Sequence, residues 1–206
     1  MNLLVEELPI AVEIDGREYP IYTDFRHCLL AIIAFEDTTL TNFERRAILL
    51  ANLYPKLPHD TVQAIQMAVK FLDGGKSSDS GEEGGSGPRL YSFSQDSDLI
   101  FSAFKQTHNI DLVDTEYLHW WKFLALFSDL GSETAFCNLV ALRKRVKTGK
   151  ATKEERQAAH EMGDRFDVPE LDVRTLEERE KEAEFLKLFH GRHKRGASNT
   201  EYPVGD

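Results

Sequence analysis

The sequence predicts a mainly α protein, an α-dominated α+β chain. The expected architecture is a helical bundle with a small N-terminal β-hairpin, in two helical parts joined by a flexible linker. Three observations predict this. Asp15-Gly16 separates two short alternating runs, Ala11 to Ile14 and Arg17 to Tyr22, which is the strongest short-range hairpin signal. Helix-start signals then recur along the chain, including the capping boxes at Thr41–Glu44, Thr152–Glu155 and Thr175–Glu178. Between the two parts, the stretch DGGKSSDSGEEGGSGP from Asp73 to Pro88 carries no apolar side chain, so it has nothing to bury.

Each element follows in order. Pro20 lacks an N–H, so the second strand sits at an edge or ends early. Thr23 or Asp24 caps a helix through about Phe35, with Phe25, Leu29, Ile32 and Ile33 on its expected inner stripe. A second helix starts at Thr41, with Ala47, Leu50, Ala51 and Tyr54 as its apolar face, and Pro55 and Pro58 stop it. Asp60 caps a third, whose Val62, Ile65, Met67, Val69 and Phe71 are spread widely enough to suggest packing on two sides. Gly74-Gly75 ends it.

Beyond the linker, Leu90 to Phe93 alternates briefly, as a short strand would. Asp96 to His108 reads as a helix with Leu99, Ile100, Ala103 and Phe104 inward. Thr115 to Leu130 is expected to form the most aromatic helix, and Ser132 to cap another through Arg145. The expected organisation is 1–72 (hairpin and helices), 73–89 (linker), 90–170 (aromatic-rich helices), 171–190 (charged terminal helix) and 191–206 (disordered tail).

Composition excludes several function classes. The 206 residues are 41% hydrophobic, which rules out wholesale disorder. No apolar run approaches the ~18 residues of a membrane-spanning helix. With 25 Lys+Arg against 35 Asp+Glu, the formal net charge is −10. That charge argues against nucleic acid as a main partner. The bases Arg143, Lys144, Arg145, Lys147 and Lys150 cluster, either as a small basic patch or as a solvated helix end that complements the dipole. Two distant cysteines, Cys28 and Cys137, fit reduced, buried thiols in a cytoplasm rather than a disulfide scaffold.

Chemistry is sparse. No phosphate-binding glycine loop and no nucleophile elbow occurs in the sequence. His190 and His193 have a metal-like spacing, but Gly191 interrupts the helix that would align them. His119 reads as a hydrogen-bonded histidine beside an aromatic core. Neither an enzyme active site nor a cofactor or metal is expected. What stands out is apolar: Tyr117, Trp120, Trp121, Phe123, Leu124 and Phe127 surround a helix on every side. A helix apolar all round is buried or faces a partner. Tyr117, Trp120, Trp121, Phe123 and Phe127 are therefore the candidate partner-binding residues. Leu186 and Phe189, on the thin stripe of the charged terminal helix, complete the set.

These residues carry a resemblance. The Asp15-to-Pro20 hairpin followed by Thr23-Asp24-Phe25-Arg26, and Asp111-Leu112 followed by Tyr117-Leu118-His119-Trp120-Trp121-Lys122-Phe123, resemble the phage gene-product-fifteen proteins of siphophages and prophages in Gram-positive bacteria. The similarity spans roughly Leu8 to Pro169. It implies a tail-morphogenesis role in the bacterial cytoplasm, as a tail assembly chaperone that binds the tape-measure protein and helps recruit tail-tube subunits. It also implies a homo-oligomer without a membrane or an enzymatic activity. Two readings of other classes remain beside it: a structural component retained in the virion tail, and a nucleic-acid-binding regulator using Arg143 to Lys150.

Overall fold

The computed structural model describes residues 3–75 and 88–168. Within them a two-stranded hairpin precedes seven α-helices and a closing 3₁₀ turn. Strands β1 (Ala11–Ile14) and β2 (Arg17–Pro20) pair antiparallel, with Val12 opposite Tyr19. Asp15 and Gly16 both take positive φ, 50° and 70°, the twist that a two-residue hairpin turn requires. Ile14 points into the core, while Gln63 donates to the Asp15 carboxylate at 2.7 Å and seats the turn on the third helix.

Helix α1 (Phe25–Glu36) is capped by Asp24, which accepts from the Arg26 N–H. Its fully buried residues are Phe25, Cys28, Ala31 and Ala34. Of the expected stripe only Phe25 is among them, and Leu29, Ile32 and Ile33 are half-buried. Small side chains on the inner face let α2 approach closely, and the larger ones flank that contact. Helix α2 (Asn42–Leu53) carries the expected capping box. Its inward face matches the expected one only in part: Tyr54 is buried and Leu50 half-buried, but Arg45, Leu49 and Leu53 face inward, and Ala47 and Ala51 face solvent. The Arg45 guanidinium decides this, donating through Nε and Nη2 to the Asp37 carbonyl at the end of α1.

Helix α3 (Thr61–Leu72) buries one face, Ala64, Ala68 and Phe71, and leaves Val62 and Val69 exposed. Helix α3 packs against α2 and β1, and Ile65, Met67 and Leu72 flank its buried face against the core. Leu90 to Phe93 forms no strand. Glu36 holds this stretch as coil, accepting from Ser92 Oγ and from the Phe93 and Ser94 N–H groups.

Helix α4 (Ser97–His108) follows, then α5 (Trp120–Ser128), α6 (Ala135–Lys147) and α7 (Lys153–Met162). Helix α5 begins five residues later than expected, because His119 supplies its cap. Helix α6 is capped by Thr134 rather than Ser132, and α7 carries the expected box at Thr152. Residues from both sides of 76–87 share one hydrophobic core, in which Phe25, Leu53 and Phe71 join Phe104, Trp120 and Phe123. The linker for the most part, the terminal charged helix and the tail lie outside the described residues.

Arg143 corrects the sequence reading most sharply. It was expected in a solvated cluster, yet it is fully buried on α6. All five of its donors are used: Nη1 and Nη2 grip the Asp96 carboxylate at 2.6 and 3.0 Å. The others reach the Leu90, Arg165 and Phe166 carbonyls. Asp96 therefore does not cap α4 with its side chain. Replacing Arg143 with methionine strands Asp96 in the interior, a loss expected to cost about 3–5 kcal/mol in urea unfolding. Lys144→Met next to it is expected to change stability by less than about 0.5 kcal/mol. Equal effects for the two would show that the buried pair carries no stability.

Candidate partner-binding cleft

The segment Tyr117 to Trp121 joins the two described stretches. Phe25 N–H donates to the Leu118 carbonyl, and Trp120 N–H donates to the Thr23 carbonyl at 2.7 Å. Leu118 N–H reaches the Asp24 carboxylate, and the Tyr117 and Thr23 hydroxyls bond at 2.8 Å. Arg26 sets the approach to this segment, donating to the Leu112 and Thr115 carbonyls.

His119 lies at the centre. Its Nδ1 accepts from the Trp121 N–H at 3.1 Å, so Nε2 carries the proton and donates to the Pro9 carbonyl at 3.0 Å. Burial lowers its pKa below the ordinary 6.5, and Lys122 adds to the effect against the Pro9 bond. The sequence reading of His119 as a bonded core histidine holds here.

Both tryptophans then turn to the end of α3. Trp120 Nε1 donates to the Leu72 carbonyl at 2.9 Å and Trp121 Nε1 to the Phe71 carbonyl at 2.8 Å. These are among the last carbonyls of a helix, which lack intrahelical partners. The chain after Leu72 must turn sharply under the Trp121 ring. A Cβ on Gly75 would lie 2.7 Å from that ring, and Gly75 has φ of +73°. Only glycine fits both conditions.

The aromatic residues expected at a partner surface divide by fate. Trp120 and Phe123 are 1% and 0% exposed, and Trp120 is nonetheless among the residues that line the cleft described below. Phe123 stacks on Phe25, Phe104 and Trp120. Phe127 is half-buried against Phe93 and Phe136. Tyr117 is 57% exposed, at the joining segment. Trp121, 9% exposed, stands on the wall of an open cleft of about 1030 Å³. Leu186 and Phe189 lie outside the described residues.

That cleft is lined by Ile32 and Phe35 from α1, Val69 and Leu72 from α3, and Trp121, Leu124 and Ala125 from α5. Leu3, Tyr91 and Phe93 complete its apolar surface. Of these, Trp121 and Leu124 were singled out in the sequence. Val69 signals the cleft only through its exposure, which a periodicity argument cannot show. Gly75 looked like a helix end, and the aromatic pair Tyr91 and Phe93 looked like a strand.

Other chemistry is sparse among the described residues. No cluster of His, Cys, Asp or Glu there is placed to hold a metal. Burial pushes the Cys28 thiol up, and Cys28 and Cys137 are both unpaired thiols. In the basic cluster, Arg143 is buried, Arg145 pairs with Glu155, and Lys147 donates to the Arg89 carbonyl. No described helix is long and apolar enough to cross a membrane.

A helical domain with an open apolar cleft and no metal cluster among its described residues is the class that this geometry defines. A family model described as bacteriophage Gp15 protein matches residues 4–168. The chain belongs to that family and is therefore a phage protein. No curated protein and no solved structure matches it.

Two outcomes follow from the site. Gly74→Ala meets Leu124 at an ordinary 3.5 Å, so it is expected to cost about 1–2 kcal/mol from backbone strain alone. Gly75→Ala adds the indole clash, so it should cost more and shift tryptophan emission; identical costs and spectra would contradict the packing. Because the folded pKa of His119 is lowered, its stabilising effect is complete above the unfolded value of 6.5. It is lost as pH falls, since the unfolded chain takes up the proton more readily. Urea unfolding at successive pH values should show that decline below about 6.5. His119→Asn, which keeps a capping acceptor, should flatten it, and an unchanged slope would sink the assignment.

Proposed function

We propose that this protein is a tail assembly chaperone, which holds an apolar helical stretch of the tape-measure protein in the cleft and helps recruit tail-tube subunits. The observation that carries the reading is the cleft itself, on a chain of the bacteriophage Gp15 family. A monomer exposing a large apolar concavity is built to cover something apolar. An amphipathic helix is the segment type that such grooves accept, through anchors at i, i+3, i+4 and i+7.

Physical economy supports the role. A tape-measure protein is a long helix that would aggregate bare. A coat of many weakly held copies protects it through avidity while each copy stays releasable. The acidic balance of the chain, −10 overall, keeps such a coat soluble. Retention in the virion tail is the alternative reading, and it predicts the protein in purified mature tails.

Co-expression with the tape-measure protein of the same phage, then affinity capture and light scattering, tests the proposal. The expected result is a soluble complex with several copies of this chain. Leu124→Asp, a charge set on the cleft wall, should abolish it while circular dichroism remains native. An insoluble tape-measure protein, with the wild-type chain eluting alone, would refute the chaperone reading.

A further inference from the structure

The segment that precedes β1 reaches the cleft. Residues 3–8 form neither strand nor helix. Their root is fixed: the Pro9 carbonyl accepts from His119 Nε2 at 3.0 Å, and the Ile10 carbonyl accepts from the Ile21 N–H at 3.0 Å. The same imidazole takes the Trp121 N–H on its other nitrogen. The root is thereby tied to the start of α5, the helix whose indole walls the cleft. Leu8 is half-buried against the core. From there the chain runs to the cleft, where Leu3 stands among the lining residues with Val69 of α3 and Leu124 of α5.

The apolar residues of this segment cover little. Leu3 is 46% exposed, Leu4 91% and Val5 78%. Exposed apolar side chains scattered singly are ordinary, but a consecutive run beside an apolar concavity is a contiguous patch. These residues do not plug the cleft. A plug would be buried, and the cleft stands open with about 1030 Å³ of space. A helix seated on α1, α3 and α5 changes the geometry, because its outer side offers apolar surface within reach of the segment. Such a helix is about 10–12 Å across with its side chains. The six residues from Leu3 to Leu8 reach roughly 20 Å when extended. That length is enough to cross a bound helix from the fixed root at Pro9.

We infer that residues 3–8 are a strap that closes over the occupant of the cleft, laying Leu3, Leu4 and Val5 on the outer side of a bound helix. The inference rests on the reading of the cleft as a helix-binding groove and adds how the occupant is retained. A groove touches one side of a helix, and the strap supplies apolar contact on the other. Closure follows seating, so the strap slows release more than it alters encounter. A strap rooted at one end also reopens without unfolding anything, because residues 3–8 carry no strand or helix to break.

A synthetic amphipathic peptide with one leucine stripe tests this on the full chain. Binding is read by tryptophan fluorescence and dissociation by stopped flow. Leu4→Ser with Val5→Ser strips the strap of two exposed apolar side chains and leaves the helices of the cleft untouched. The double variant is expected to bind about tenfold more weakly, the scale set by burying one aliphatic side chain, with the change in the dissociation rate. Leu57→Ser with Val62→Ser removes another exposed pair, at 56% and 65%, outside the lining. It should stay within about twofold of wild type. Amide exchange at residues 4–7 should slow several-fold in wild type when the peptide is bound. Unchanged exchange, unchanged affinity in the strap variant, or equal loss in both variants overturns the strap and leaves the groove standing. Tighter binding by the strap variant overturns it too, since a plug behaves that way. Failure of the wild-type chain to bind the peptide overturns the groove and the strap together.

Discussion

The fold depends on a backbone seam in which the Leu118-to-Trp121 segment is stitched to the hairpin exit and to the end of α3. Leu118 and Trp120 exchange main-chain bonds with Phe25 and Thr23. His119 ties the same point to Pro9, and the two indoles cap the carbonyls of Phe71 and Leu72. Each bond is a modest contribution by itself. Together they fix the start of α5 so that Phe123 falls into the core and Trp121 remains at its edge. One turn of sequence thus serves as both keystone and cleft wall. The other half of the anchoring is the Asp96–Arg143 pair, which gathers α4, α6 and the carbonyls of Leu90, Arg165 and Phe166.

The economy of the arrangement explains how such an aromatic helix avoids becoming a general aggregation hazard. Phe123 has no exposed surface because aromatic rings surround it, at centroid separations of 5.0 to 6.3 Å from Phe25, Phe93, Phe104, Phe127 and Trp120. The surface that remains apolar is concave, with Asp73 at the end of α3 on its lining.

Local signals were legible in the sequence where they act alone. The hairpin turn, the capping boxes at Thr41 and Thr152, and the cap at Asp60 are decided by a few adjacent residues, and the structure has them. What was not legible depends on partners distant in the chain. Arg45 turns α2 inward because a carbonyl waits at the end of α1, and Arg143 is buried because Asp96 and three carbonyls enclose it. Neither can be read from hydropathy, which marks both as surface residues. His119 starts α5 late for the same reason, since its cap depends on Pro9 being within reach. Trp120 and Trp121 were visible as candidates and Leu124 only as part of the apolar helix surface, but Val69, Leu72 and Gly75, which face the same cleft, become a site only in three dimensions.

The central claim, that the cleft holds a tape-measure helix, is tested most directly by placing a photo-reactive phenylalanine analogue at Leu124 and irradiating cells that assemble tails. The account predicts a crosslink to the tape-measure protein of the same phage, mapped to an apolar helical stretch. The analogue at exposed Asp98, outside the cleft, should give none. Crosslinks from position 124 only to other virion proteins, with the tape-measure protein unlabelled, would contradict it.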